Sequence, residues 1–145
     1  MANNRIVHFE IPASEPEALT RFYADLFGWK FTKAPIQGVE YWLCDTGPDG
    51  PGINGAVMER KNALHPWMNY VDVASVDAAL ETATRLGATI ALPKMPVPGL
   101  GALAAIFDPQ GNACGLWEKE VKPDVEGIDA PNLHEIPDHP PHTTP

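Results

Sequence analysis

Cysteine, basic charge and long apolar runs are all scarce in this sequence, and each scarcity removes a class of function. There are two cysteines, Cys44 and Cys114. Neither sits in a CxxC pair or close to a histidine in the chain, which excludes a sequence-encoded zinc ribbon or redox motif. The remaining reading is two ordinary thiols in strands of a cytosolic protein. Ten Lys and Arg stand against nineteen Asp and Glu, for a net charge of −9. No basic face is available to neutralise phosphates, so nucleic acid and anionic membranes are not expected partners. No apolar run approaches the length of a membrane span, and the N-terminus lacks the basic-then-apolar layout of a signal peptide. A cytoplasmic protein is the expectation.

What the chain does contain is enough apolar material for one core: 44% of 145 residues are hydrophobic. Proline is plentiful and unevenly placed. Six of the sixteen lie between Pro123 and Pro145, in a stretch without apolar periodicity. Residues 120–145 are therefore read as a proline-rich arm, either disordered or laid across a partner, and the folded unit as 4–119.

Two helices stand out by period. In the segment from Ser14 to Phe27, the residues Leu19, Phe22, Tyr23 and Leu26 recur at helical spacing and make one apolar stripe. Ser14 and Glu17 form a capping-box pattern, and Gly28 stops the helix. From Ser75 to Leu86 the stripe is Val76, Ala79, Leu80, Ala83 and Leu86, with Ser75 placed as cap and Gly87 as stop.

Strand-like segments flank each helix in the same order. Arg5–Ile11 precedes the first, and Trp29–Ala34, Glu40–Asp45 and Ile53–Glu59 follow it. Trp67–Val73 precedes the second, and Thr89–Pro93, Ala102–Asp108 and Asn112–Glu118 follow it. One offset of 59 positions aligns Gly28 with Gly87 and also aligns segment 52–59 with 111–118. Such agreement marks an internal repeat, with too few copies for a solenoid. The fold class it implies is α+β, built from two tandem βαβββ modules over about 5–60 and 66–119.

Alternation along strands then sorts the faces. Val7, Phe9 and Ile11 cover the first helix, which turns His8 and Glu10 the other way. Val71 and Val73 cover the second, turning Met68, Tyr70 and Asp72 away. In the last strand Cys114 and Leu116 pack inward and Trp117 faces out. If the sheets curl, their open faces make a cup lined by His8, Glu10, Trp42, Met58, Met68, Tyr70, Asp72 and Trp117. Aromatic walls with a few polar groups suit a small organic ligand. The aromatic stripe of Trp42, Tyr70 and Trp117 reads equally well as plain packing.

These residues resemble a known superfamily. The segment VHFEIPASEPEALTRFYADLFGWKF resembles the opening of vicinal-oxygen-chelate proteins, the group of glyoxalase I, bleomycin- and fosfomycin-resistance proteins and extradiol dioxygenases. YVDVASVDAALETATRLGATI and FDPQGNACGLWE resemble its second helix and closing strand. The resemblance spans residues 5 to about 119 and implies the glyoxalase/bleomycin resistance/dihydroxybiphenyl dioxygenase-like fold, a curved-sheet cup. It also implies a metal site with ligands from the first and last strand of each module. Those positions are His8, Ala56, Met68 and Gly115. One competent ligand of four falls short of the three protein donors that a catalytic zinc, nickel or iron site normally needs. No cofactor is therefore expected, a divalent metal being the alternative. Glu59 and Glu118 could serve only after a shift of register, and read otherwise as solvated carboxylates on the opposite face.

Three functions fit this pattern. The first is a glyoxalase/bleomycin-resistance-like protein that binds a small organic molecule without the standard metal. In an enzyme of that kind His8 would be the acid or base and Glu10 or Asp72 would orient it. The second is a metal-dependent lyase or dioxygenase resembling lactoylglutathione lyase. The third is a non-enzymatic sequestering protein of the resistance type. His8 itself reads as a structural histidine, a ligand contact or acid/base, or a metal ligand. His65, before Pro66 in the connector, is expected to be exposed, and His134, His139 and His142 fall in the arm. A homodimer is expected, with the modules pairing either within one chain or across two. The loops Pro35–Val39, Thr46–Gly52 and Met95–Gly101 are expected to set ligand choice.

Overall fold

The second helix forms where its caps and charges say it should. In a computed structural model that describes residues 2–35 and 38–120, α2 spans Val76–Arg85. The Ser75 hydroxyl accepts a hydrogen bond from the Ala78 amide at 3.1 Å. Glu118 accepts another from the Val76 amide at 2.7 Å. Two orphan amides of the first turn are thus satisfied, with Asp77 at the positive end and Arg85 at the negative one. Glu118, expected as a solvated carboxylate, is instead the second cap of this helix. Helix α1, Pro16–Phe27, starts two residues later than expected. Its cap position is Glu15 with no side-chain cap bond, so the Ser14/Glu17 capping box does not form. Pro16 supplies the start instead, since its fixed φ and missing N–H suit the first helical position. Gly28 and Gly87 end the helices with φ of 76° and 103°, a region that other residues enter only with strain.

The strands are β1 Ile6–Ala13, β2 Lys30–Lys33, β3 Tyr41–Asp45, β4 Gly55–Glu59, β5 Met68–Asp72, β6 Thr89–Val97, β7 Gly101–Phe107 and β8 Ala113–Lys119. They form one eight-stranded sheet in the order β2-β3-β4-β1-β5-β8-β7-β6. Within each module the outer pairs are antiparallel and the closing pair is parallel, β1 with β4 and β5 with β8. A parallel pair needs a crossover, and that is what the rest of each module provides. The modules meet through the antiparallel pair β1 and β5. Of the two pairings left open by the sequence, the one within a single chain is observed. Strand β6 runs on to Val97, well past the expected end at Pro93. It lies at the sheet edge, where the missing amides of Pro93 and Pro96 break no internal ladder.

Both helices cover the same face of the sheet. Under α1 the core is Phe9, Ile11, Cys44 and Val57, with Leu19 and Tyr23 packed on it. Under α2 it is Val73, Val76, Leu80, Ala104 and Leu116. Burial of each such large side chain contributes about 1.5–3 kcal/mol. The α1 stripe is only half used: Phe22 and Leu26 remain more than half exposed. Phe22, Tyr23, Phe27, Trp29 and Trp67 make a chain of ring contacts along that side.

Two facing assignments are corrected. Trp42 packs with the core beneath α1, not on the open face. Its neighbour Tyr41 lies opposite Met58 across β3 and β4 and takes the open face instead. The Tyr41-Trp42 pair offers an aromatic side chain to either face, so the local pattern does not fix the register. Val7 packs with the open-face cluster of Tyr70, Leu103 and Trp117. An irregularity between Ile6 and His8 in the pairing with β5 interrupts alternation there. The arm from 121 onward, with its three histidines, lies outside the described residues.

Candidate functional site

Register brings the open-face residues together at the seam between the modules. Across β1 and β5, His8 lies opposite Tyr70 and Glu10 opposite Met68. Directly opposed residues in an antiparallel pair share a face, so these four form one patch. Glu10 is also aligned with Ala56 of β4, and Tyr70 with Gly115 of β8.

Glu10 is the centre of the patch. Its carboxylate accepts a hydrogen bond from the Tyr70 hydroxyl at 2.9 Å and from the Tyr41 hydroxyl at 3.0 Å, one on each oxygen. Nε2 of His8 lies 3.2 Å from the Tyr41 hydroxyl and 3.9 Å from a Glu10 oxygen. All four side chains are buried: His8 is 0% exposed, Tyr41 1%, Glu10 2% and Tyr70 3%. Burial raises the Glu10 pKa to about 7 even though both tyrosine hydrogen bonds pull it down. The same burial, with the carboxylate beside them, holds the tyrosine hydroxyls well above their ordinary range. They stay protonated and act as donors, while Glu10 exchanges a proton near neutrality.

The other expected lining residues are dispersed. Met68 sits beside Glu10. Met58 is half-buried opposite Tyr41. Asp72 is half-buried at the far end of β5, opposite Trp117. Trp117 is fully buried against Val97 and Leu103, and its indole N–H has no partner among the described residues. Trp42 is absent from the patch and Tyr41 is the member the sequence reading missed. Its alternation with Leu43, opposite Met58 and Ala56, is the signal that would have found it.

The metal implied by the resemblance can be tested against these side chains. Ala56 and Gly115 offer no donor, and Met68 offers only a thioether, which suits soft ions rather than a zinc or iron hydrolytic centre. A Cβ at Gly115 would lie 2.5 Å from the Tyr70 ring, so that position is filled by the tyrosine reaching for Glu10. Among the described residues no three His, Cys, Asp or Glu side chains gather closely enough to hold an ion. The residues present do not fit such a metal.

Beside the patch, the same face opens into a cavity of about 320 Å³. Met68, Leu92, Ala105, Phe107 and Ala113 form its wall, and the connector residues Lys61 and His65 border it. His65 is thus part of a cavity rim and half-buried, not simply exposed. A larger hollow of about 530 Å³ lies by the start of α1, lined by Ile11, Ala13 and Leu19 from the helix-covered side. Neither hollow is lined by the Glu10 network itself, but the smaller one lies on the open face and includes Met68, the residue opposite Glu10, so it is the one next to the site.

Comparison with known proteins agrees with this architecture. The family model of the Glyoxalase/Bleomycin resistance protein/Dioxygenase superfamily matches residues 5–116. "Putative glyoxylase CFP32" of Mycobacterium tuberculosis is 25% identical over 124 residues, covering 75% of this chain and 43% of that protein. "Anthracycline biosynthesis protein DauV" of a Streptomyces species is 27% identical over 142 residues, covering 85% of this chain and 50% of that one. The chain spans about half the length of the curated relatives it matches. Among solved structures, methylmalonyl-CoA epimerase from Mycobacterium tuberculosis superposes with a TM-score of 0.61 at 15% identity, over 83% of this chain and 90% of that one. A Bacillus halodurans protein of no stated activity gives 0.62 at 15% identity, over 84% and 99%. At that identity the likeness is one of fold. No helix among the described residues is long and apolar enough to cross a membrane.

Proposed function

The chain belongs to the Glyoxalase/Bleomycin resistance protein/Dioxygenase superfamily, and from that premise we propose that it binds a small organic molecule on the open face of its sheet, without a transition metal. The observation that carries this reading is the apolar cavity of about 320 Å³ whose wall includes Met68, the residue paired with Glu10. Size and lining suit one compact, mostly apolar molecule. Burying on the order of 200 Å² of ligand surface is worth about 5 kcal/mol before the cost of association. Affinity from packing alone is therefore modest, and polar contacts at the rim set selectivity.

Glu10 supports a second role in the same site. A carboxyl group with a pKa near 7 can give or take a proton at working pH, and Tyr41, Tyr70 and His8 fix its position. Because the group is closed off in this state, binding is the primary reading and acid–base chemistry would follow only if a ligand displaces Tyr70 or Met68. The glyoxylase and anthracycline-biosynthesis relatives act as precedents for organic ligands, not for a particular reaction.

Replacing Ala113 with phenylalanine tests the reading, since Ala113 is a half-buried wall residue opposite Phe107. Small aromatic compounds that raise the melting temperature of the native protein are expected to lose that effect in A113F, with the unliganded melting temperature little changed. Equal stabilisation of both proteins would place binding elsewhere.

A further inference from the structure

The connector between the modules is a built structure. The Arg60 guanidinium donates to the carbonyl oxygens of His65 at 3.1 Å and Pro12 at 3.3 Å, and the Arg60 amide donates to Ala13 at 2.9 Å. Asn62 closes the turn inside, accepting from the amides of Leu64 at 2.9 Å and His65 at 3.1 Å. Within this loop the Lys61 amide donates to Nδ1 of His65 at 3.0 Å. A ring nitrogen that accepts a hydrogen bond carries no proton, so the neutral ring holds its proton on Nε2. Burial, reinforced by Arg60 and Lys61, lowers the His65 pKa and keeps the ring neutral at pH 7. The result is a fixed N–H donor on a ring that lines the cavity.

Lys61 lines the same cavity and pairs with no carboxylate among the described residues. Among the described residues no Asp or Glu belongs to the cavity lining. Arg60, the neighbouring cation, has its guanidinium engaged by carbonyl oxygens. Among its described residues an acidic protein therefore presents, over one apolar cavity, an ammonium with no carboxylate partner and a neutral N–H donor. Together they complement negative charge on an oxygen.

Resting on the binding reading above, we propose that this cavity takes organic anions: molecules with a compact apolar body and one carboxylate, phenolate or enolate oxygen, which Lys61 and His65 receive. The apolar body lies against Met68, Leu92 and Phe107, and the anionic oxygen stays at the rim, where desolvation is incomplete. The arrangement disfavours cations of the same shape, because no carboxylate among the described residues lines the cavity to meet them.

The test compares 2-naphthoate, 2-naphthamide and 2-naphthylmethylammonium on the full chain at pH 7.5 and low salt, following Met68 and wall methyl signals by NMR. The expected order is naphthoate tightest, by about tenfold or more over the amide, with the ammonium weakest. Lys61→Met keeps the apolar stem and is expected to erase most of that preference. His65→Asn keeps an oxygen to accept the Lys61 amide while removing the Nε2 donor, and is expected to weaken naphthoate about threefold or more. Equal or better binding of the amide or the ammonium at these methyls overturns the anion assignment and leaves the cavity reading standing. A naphthoate preference insensitive to both substitutions, or one that leaves Met68 unmoved, overturns it as well, since the anion then binds elsewhere. Failure of all three probes overturns both readings together.

Discussion

Replacing Glu10 with glutamine isolates the buried carboxyl group on which the site is organised. The substitution keeps the shape and an acceptor for one tyrosine hydroxyl but removes the titration. Native Glu10 has its pKa raised from an ordinary 4.5 to about 7. The folded state therefore holds this proton more tightly than the unfolded chain does, and stability falls as pH rises between those values. The whole titration amounts to about 3 kcal/mol, most of which falls between pH 5 and pH 8. Asp108 works in the opposite direction, since hydrogen bonds from Asn112 lower its pKa. Its contribution appears as pH rises through the acid range, and it is common to both proteins. The quantity to measure is the difference in urea-unfolding free energy between E10Q and native protein at the two pH values. Whatever fixed cost the amide carries cancels. E10Q is expected to gain roughly 2–3 kcal/mol on the native protein from pH 5 to pH 8. A difference that does not change with pH would refute a Glu10 pKa near 7 and the closed network behind it.

Tyr70→Phe removes one of the two hydrogen bonds to the carboxylate. It is expected to destabilise by about 1–2 kcal/mol, more at pH 8 than at pH 5, because only the ionised group needs both donors; this is read by the same unfolding assay. In Gly115→Ala the added methyl meets the Tyr70 ring. Unfolding is expected to be easier by about 1–3 kcal/mol, with the Tyr70 ring signals shifted in the NMR spectrum. The double change Tyr70→Phe with Gly115→Ala should cost less than the sum of the two, since a ring displaced by the methyl has already lost the hydroxyl bond to Glu10 that Phe lacks; strict additivity would show that the methyl leaves that hydrogen bond intact.

The repeat carried most of the architecture. One offset aligned the stop glycines and the last strands, and the two modules and their helices follow from it; that β1 and β5 join the modules into one sheet was left open by the sequence. Placement of His8, Glu10, Met68 and Tyr70 on one face also followed from alternation, because Phe9, Ile11, Val71 and Val73 mark the opposite face clearly. Alternation gave the wrong answer where its signal was weak. Tyr41 and Trp42 are adjacent aromatics, and only the register against β4 decides which one meets Glu10. Val7 lies at an irregular step of the β1–β5 pairing that no local pattern announces. The capping-box pattern at Ser14 yielded to Pro16, which starts the helix with one fewer amide to satisfy. His65 was hidden for a different reason: its role depends on the fold of a connector and on a cavity wall supplied by β6, β7 and β8. Such a site has no sequence motif.

The central claim is that ligands enter the cavity beside Met68 on the open face of the sheet. Methyl NMR of protein labelled at Met, Ala and Leu, titrated with a set of small aromatic compounds, measures this directly. Shifts gathered at Met68, Leu92, Ala105 and Ala113 are the expected result. Shifts confined to Ala13, Ala18 and Leu19 beside α1, or no shifts at all, would contradict the account.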